Sequence, residues 1–212
     1  MHTWSERQAF INECEALEAT LASAADQPDA ATRAGIGEWS LPRLVGHLVG
    51  VAQRVGQRPT LPAPEQQRAE INRVGFYVRH MATVESGTYR PIDEPALPDP
   101  ATWSEQFGQA WRDSDAVLGD TDPDALVSTT HGAMAVREYV ATRVVEVCVH
   151  HLDVRVALDR PPEATPTAAQ LTQDLLERLL AGSRPRNLGR TRFIRAATGR
   201  GGYDDPRFPV LV

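Results

Sequence analysis

Apolar residues in the first stretch of the chain fall at Phe10, Ile11, Cys14, Leu17 and Leu21. Those steps of three and four predict a helix over 5–24, with Ser5 placed to cap it. Residues 26–37 read as a loop by composition. The start Ser40-Leu41-Pro42-Arg43 predicts a second helix, since serine caps and proline is tolerated in a first turn. That helix carries Leu44, His47, Leu48, Val51 and Val55 along one side, and the prolines at 59–64 break it. Further helices are predicted over 65–81, 102–118, 134–158 and 166–181. Prolines at 91, 95, 98 and 100 make 85–100 a long loop. Such a loop suits a substrate-facing position and is equally common as a plain surface connection. Residues 120–133 are expected to be a loop with turn signals, and 192–197 a short strand in an Arg- and Gly-rich tail. Helices of these lengths with long connections predict an all-α helical bundle.

One helix departs from the amphipathic pattern. Between 143 and 153, Arg143, Glu146, His150 and Asp153 are spaced by three, four and three, inside an arc of roughly 80°. Valines, Cys148 and Leu152 cover most of the remaining circumference, whereas a surface helix shows an apolar stripe of a little over ~100°. The helix is therefore expected to be central, and its charged arc to need partners, because unpaired buried charges cost several kcal/mol each. Two arrangements meet that need: a buried ion-pair network, or a metal held by some of the arc. Glu146 and His150 stand one turn apart and can converge on one ion. A third donor is available in His47, three after Leu44 and four before Val51, hence on the apolar face of its own helix. An inward histidine can also be an ordinary core residue. His2, His80, His131 and His151 lack this placement; His151 is turned about 100° from His150. Tyr139 shares the arc one turn earlier, as an oxyanion donor or as a core aromatic.

Composition narrows the possibilities. The net charge of −6 argues against a nucleic-acid partner, which selects a basic face. All 22 basic residues are arginine, a mark of a GC-rich genome. Cys14 and Cys148 lie in helical patterns with no Cys-x-x-Cys spacing, as expected of reduced thiols in a cytoplasmic protein. Neither a signal sequence nor a run of ~18 apolar residues is found, so no membrane association is expected.

The segment Trp39-Ser40 to His47-Leu48 resembles the W-[ST]-x6-H-L segment of the DinB-like helical-bundle superfamily. Arg143-x2-Glu146-x3-His150-x2-Asp153 resembles the R-x2-E-x3-H-x2-D segment of its mycothiol-dependent maleylpyruvate isomerase branch. The resemblance implies an up-down-down-up four-helix bundle over 1–160 that holds a divalent metal, usually zinc. His47, Glu146 and His150 match the ligand positions, and Arg143 and Asp153 the flanking ones. It also implies mycothiol, the actinobacterial low-molecular-weight thiol, as cosubstrate with a small electrophile. The isomerases of this branch continue into a separate α/β domain; here 161–212 reads as an extension that packs on the bundle. A Thr198-Gly199-Arg200 segment resembles one near the ends of related proteins and carries no assigned role.

Three ligands leave an open position, as in catalytic rather than structural zinc sites. A thiol bound there would lose its proton and attack the electrophile, giving transfer, or isomerisation if it leaves again. Asp153 would orient an imidazole or relay a proton, and Arg143 would pair with Glu146 or receive a substrate carboxylate. The alternatives are a thiol-independent enzyme of specialised metabolism using the same pocket, and a non-catalytic metal-binding stress-response module. Monomer and homodimer are both compatible with the sequence.

Overall fold

A computed structural model describes residues 4–211 except 28 and 91. Seven α-helices are found among these residues: α1 (Ser5–Ala22), α2 (Leu41–Thr60), α3 (Arg73–Glu85), α4 (Trp103–Gly119), α5 (Val136–Ala157), α6 (Pro166–Leu179) and α7 (Arg190–Ala197). Two small antiparallel hairpins accompany them, β1 (Ala34–Ile36) with β2 (Trp39–Ser40), and β3 (Leu126–Thr129) with β4 (Gly132–Ala135). The protein is mostly helical, with little sheet, as its periodicity predicts. No helix among the described residues is long and apolar enough to cross a membrane.

The four longest helices enclose the core. α1 and α2 each pack against both α4 and α5. Phe10, Leu17 and Leu21 of α1 meet Leu44, Leu48, Val51 and Val55 of α2, Trp103, Phe107 and Leu118 of α4, and Val140, Val144 and Val147 of α5, all essentially inaccessible. α5 is buried on most of its circumference, as its sequence requires. α6 lies against α1, α3 and α5, and α7 against α6.

The start of α2 follows from its sequence: Ser40 Oγ accepts from the Arg43 N–H at 3.4 Å, and Pro42 occupies the first turn. Gly46 and Gly50 of α2 admit the Pro-rich segment, since a Cβ at either would collide with the Pro95 carbonyl or the Glu94 carboxylate. Leu97 N–H donates to Pro42 O at 3.0 Å, and Arg54 pairs with Glu94, so this loop is fastened along α2.

Several boundaries differ from expectation. Ser5 is the first residue of α1; Trp4 holds the cap position, and Ser5 Oγ donates to Glu6 instead. α3 starts at 73 because Asn72 Oδ1 accepts from the N–H groups of Val74 and Gly75. The preceding residues, expected to be helical, pair with the second hairpin: Glu70 and Ile71 N–H donate to Ala133 O, and Glu70 Oε2 accepts from Ala133 N–H. Both hairpins occupy mostly residues expected to be loop, in strands of two to four residues that leave almost no alternation to detect; β4 also takes Met134 and Ala135, so the long helix starts at Val136 rather than at 134. The 192–197 stretch is helical rather than a strand, because Phe193, Ile194 and Ala197 bury one helical face.

Candidate metal centre

His47 is carried by α2 and Glu146 and His150 by α5, and the packing of these two helices brings the three side chains together. His47 Nε2 lies 3.9 Å and His150 Nε2 3.7 Å from Glu146 Oε2. One donor atom from each residue lies within 4.8 Å of the other two. Hydrogen-bonded N and O atoms would stand closer, at ~2.7–3.2 Å. Donors sharing a tetrahedral ion at ~2.0–2.2 Å stand roughly 3.3–3.6 Å apart. The observed spacing is too long for hydrogen bonds and near that of donors around one ion. Two imidazoles and a carboxylate are also the donor set that suits zinc and neighbouring divalent metals.

The electrostatics favour that use. Burial works against ionisation of Glu146, but His47, Arg143 and His150 outweigh it and hold the carboxyl far below the usual range. Burial lowers the His47 pKa, against the opposing pull of Glu146, and so favours the neutral ring, the form with a lone pair to offer. Among the described residues, His47 Nδ1 is buried without a hydrogen-bond partner. The His47 ring makes T-shaped contacts with Trp39 and His150, each with centroids 5.2 Å away.

Asp153 is 4% exposed and lies behind His150, its Oδ2 3.1 Å from His150 Nδ1. With the proton on Nδ1, Nε2 presents its lone pair toward Glu146 and His47. Burial opposes ionisation of Asp153, yet His150 and Arg200 together hold its pKa below the usual value. Arg200 Nε donates to both Asp153 oxygens, at 3.2 and 3.0 Å. Sequence reasoning noticed the Thr-Gly-Arg segment but had no means of placing it here.

Arg143 lies on the other side of Glu146, its Nη2 3.9 Å from Oε1. Its guanidinium stacks between Phe76 and Tyr139, 5.5 and 5.4 Å from the ring centroids. Nε donates to Thr142 Oγ1 at 3.1 Å. Tyr139 is buried and its hydroxyl donates to Arg54 O at 3.4 Å, so its visible role is to present a face to Arg143. Beyond Arg143, His80 packs on Tyr89 and His131, and His131 on Phe76. Burial lowers the pKa of both imidazoles. Neither histidine follows a helical ligand spacing, and only the approach of α3 to the β3–β4 turn brings them together.

The other candidates lie apart from the triad. His151 is buried on the far face of α5, between Glu13 Oε1 at 2.7 Å and Thr20 Oγ1 at 2.9 Å. His2 lies outside the described residues. Both cysteines are free and fully buried, and burial pushes their thiols well above the ordinary value, so neither is a nucleophile. A cleft of about 720 Å³ bordered by α1, α3 and α6 contains none of the triad; its Arg73 pairs with both Glu6 and Glu138.

Residues 11–155 match the family model described as "Mycothiol maleylpyruvate isomerase N-terminal domain". The match includes His47, Glu146, His150, Arg143 and Asp153 and ends before Arg200. No curated protein and no solved structure matches the chain significantly.

Proposed function

The chain belongs to the mycothiol maleylpyruvate isomerase N-terminal domain family, and from that premise we propose that it is a metal- and thiol-dependent enzyme. It would act on a small electrophile with mycothiol as cosubstrate, by transfer or isomerisation, inside an up-down-down-up bundle of α1, α2, α4 and α5 over 1–160. Residues 161–212 would be an extension of that bundle. The observation that carries this reading is the convergence of His47, Glu146 and His150 at a spacing that no hydrogen bond explains.

In this reading these three residues hold one divalent ion, zinc for preference. Bound there, it supplies charge that keeps a thiol deprotonated at neutral pH. The protein's own side chains do the rest. Asp153 accepts the Nδ1 proton of His150 and fixes which nitrogen faces the ion. Arg143, whose nearest carboxylate oxygen stands 3.9 Å away, has guanidinium N–H groups to spare for an anionic group of the substrate. Tyr139 and Phe76 hold that guanidinium in place between their rings. The absence of an accessible cysteine fits a thiol supplied from outside.

The test is elemental analysis of the purified chain, followed by titration of mycothiol into the cobalt-loaded protein. We expect one equivalent of metal, lost in His150→Ala without loss of helical content, and a change in the cobalt absorption spectrum on addition of the thiol. Retention of the metal by His150→Ala would refute the ligand set. An unchanged spectrum would refute the thiol and leave a thiol-independent enzyme or a binding module.

A further inference from the structure

We infer that Arg200, carried on the C-terminal tail, is a positioning residue for this centre: it anchors Asp153, which orients His150, so that metal affinity depends on the tail. This rests on the reading of His47, Glu146 and His150 as metal ligands.

The Thr-Gly-Arg segment acquires a physical meaning from the end of α7. Gly199, at φ +73°, follows the last helical residues in the left-handed conformation that glycine adopts without steric cost. Its N–H donates to Ala196 O at 3.2 Å, and the Arg200 N–H to Arg195 O at 2.7 Å. These two bonds are the paired contacts of a Schellman motif. Thr198 is buried, and its hydroxyl donates to Ile194 O at 2.7 Å. The backbone is thereby turned so that the side chain of Arg200 points back at α5. Its Nη1 donates to Thr198 O at 2.6 Å, and its Nε bridges both oxygens of Asp153. The guanidinium is thus held at both ends.

A buried carboxylate with only an imidazole for company would bear a large desolvation cost and could rotate. Arg200 supplies the countercharge and fixes the plane of the carboxylate, which in turn points Oδ2 at His150 Nδ1. Groups that orient a metal-binding histidine commonly govern affinity by ~10–100-fold. The chain therefore supplies this support from 45 residues beyond the stretch that matches the family model, which ends at 155.

The test is Zn²⁺ affinity of the full chain, measured by competition with a chromophoric chelator. Arg200→Ala should weaken binding by about 10-fold or more, and Asp153→Asn should do likewise. The double variant should bind no more weakly than Asp153→Asn alone, because Arg200 acts through Asp153. Arg200→Lys keeps the charge on a single donor nitrogen, so it should recover part of the loss; it also serves if the alanine variant does not fold. A structural role alone would add its effect to that of Asp153→Asn, so multiplying losses would overturn the inference. Wild-type affinity in both Arg200 variants would do the same. His150→Ala separates the two ideas. If it retains zinc, the ligand reading fails; if it loses zinc while the Arg200 variants retain it, only the role of Arg200 fails.

Discussion

Arg143 is a charge held by shape. Two aromatic faces and one hydroxyl fix its plane, and the nearest carboxylate is too distant for a full hydrogen bond. A lysine at 143 would keep the charge but could neither stack flat nor present a two-pronged donor. We expect Arg143→Lys to raise KM for an anionic electrophile by about 10-fold, the cost of one such contact, with metal content unchanged. Steady-state kinetics with a neutral electrophile as the comparison reads this directly. An equal KM for both substrates in wild type and variant would remove Arg143 from substrate binding. The candidate residues at this scale were legible because α5 places an arc of polar side chains among valines, and that contrast is periodic. Tyr139 was only half legible. Its place on the arc follows from counting, whereas the destination of its hydroxyl, Arg54 O, depends on how α2 packs.

At the scale of elements, α3 is tied along its length, by Tyr77 Oη to Thr142 O at 3.0 Å and Arg79 to His131 O at 2.6 Å, and most densely at its start. Arg73 N–H and guanidinium donate to Glu138 of α5 at 2.7–2.9 Å, and Arg73 also reaches Glu6 of α1 at 2.6 Å. Burial opposes ionisation of Glu138, but Arg73 overrides it and lowers the pKa below its usual value. A carboxyl whose pKa is lower in the folded chain stabilises it fully above the unfolded value, ~4.3, and loses that contribution as pH falls toward the folded value. Glu138→Gln should therefore destabilise the protein by about 1.5–3 kcal/mol at pH 7, the range for hydrogen bonds to charged groups. The gap to wild type should narrow steadily below about pH 4. Melting curves of both proteins across pH 2.5–7 check the prediction; a pH-independent gap would show that shape, not charge, matters there. Helix cores were readable from periodicity, but the start of α3 was not. Residues 65–72 contain enough helix formers to extend the pattern, and what stops it is a pairing with Ala133 more than 60 residues away.

For the molecule as a whole, the helices after α5 pack onto earlier ones, α6 against α1, α3 and α5 and α7 against α6. Leu175 and Leu176 of α6 and Phe193 and Ile194 of α7 are inaccessible within the one core cluster that includes α1 and α5. Glu13, buried in α1, accepts from both the backbone N–H and the hydroxyl of Thr165 at the start of α6, at 2.8 and 2.5 Å. Removing 161–212 would expose these apolar faces and leave the Glu13 carboxylate short of its donors. We expect the truncated chain to be far less soluble and to lose several kcal/mol of stability, as removal of buried side chains and partners of a buried charge requires. The full chain should melt in a single transition, monitored by circular dichroism and calorimetry. Two separate transitions, or a truncated chain that melts like the whole, would show an independent extension.

The sequence by itself determined the helical class, the central position of α5, the polar arc on it and the inward His47, because each is a matter of counting residues along one helix. It also contained the motifs by which the family is recognised. Only the tertiary structure decided which residues from different elements meet: His47 with the α5 pair, His80 with His131 and Tyr89, and Arg200 with Asp153. The physical reason is that helical periodicity specifies which face a side chain occupies, while the partner opposite that face depends on how elements distant in sequence pack. Arg200 shows the difference plainly. Gly199 and Thr198 prepare its turn locally, but its target lies 47 residues earlier, on a helix that no local pattern connects to it.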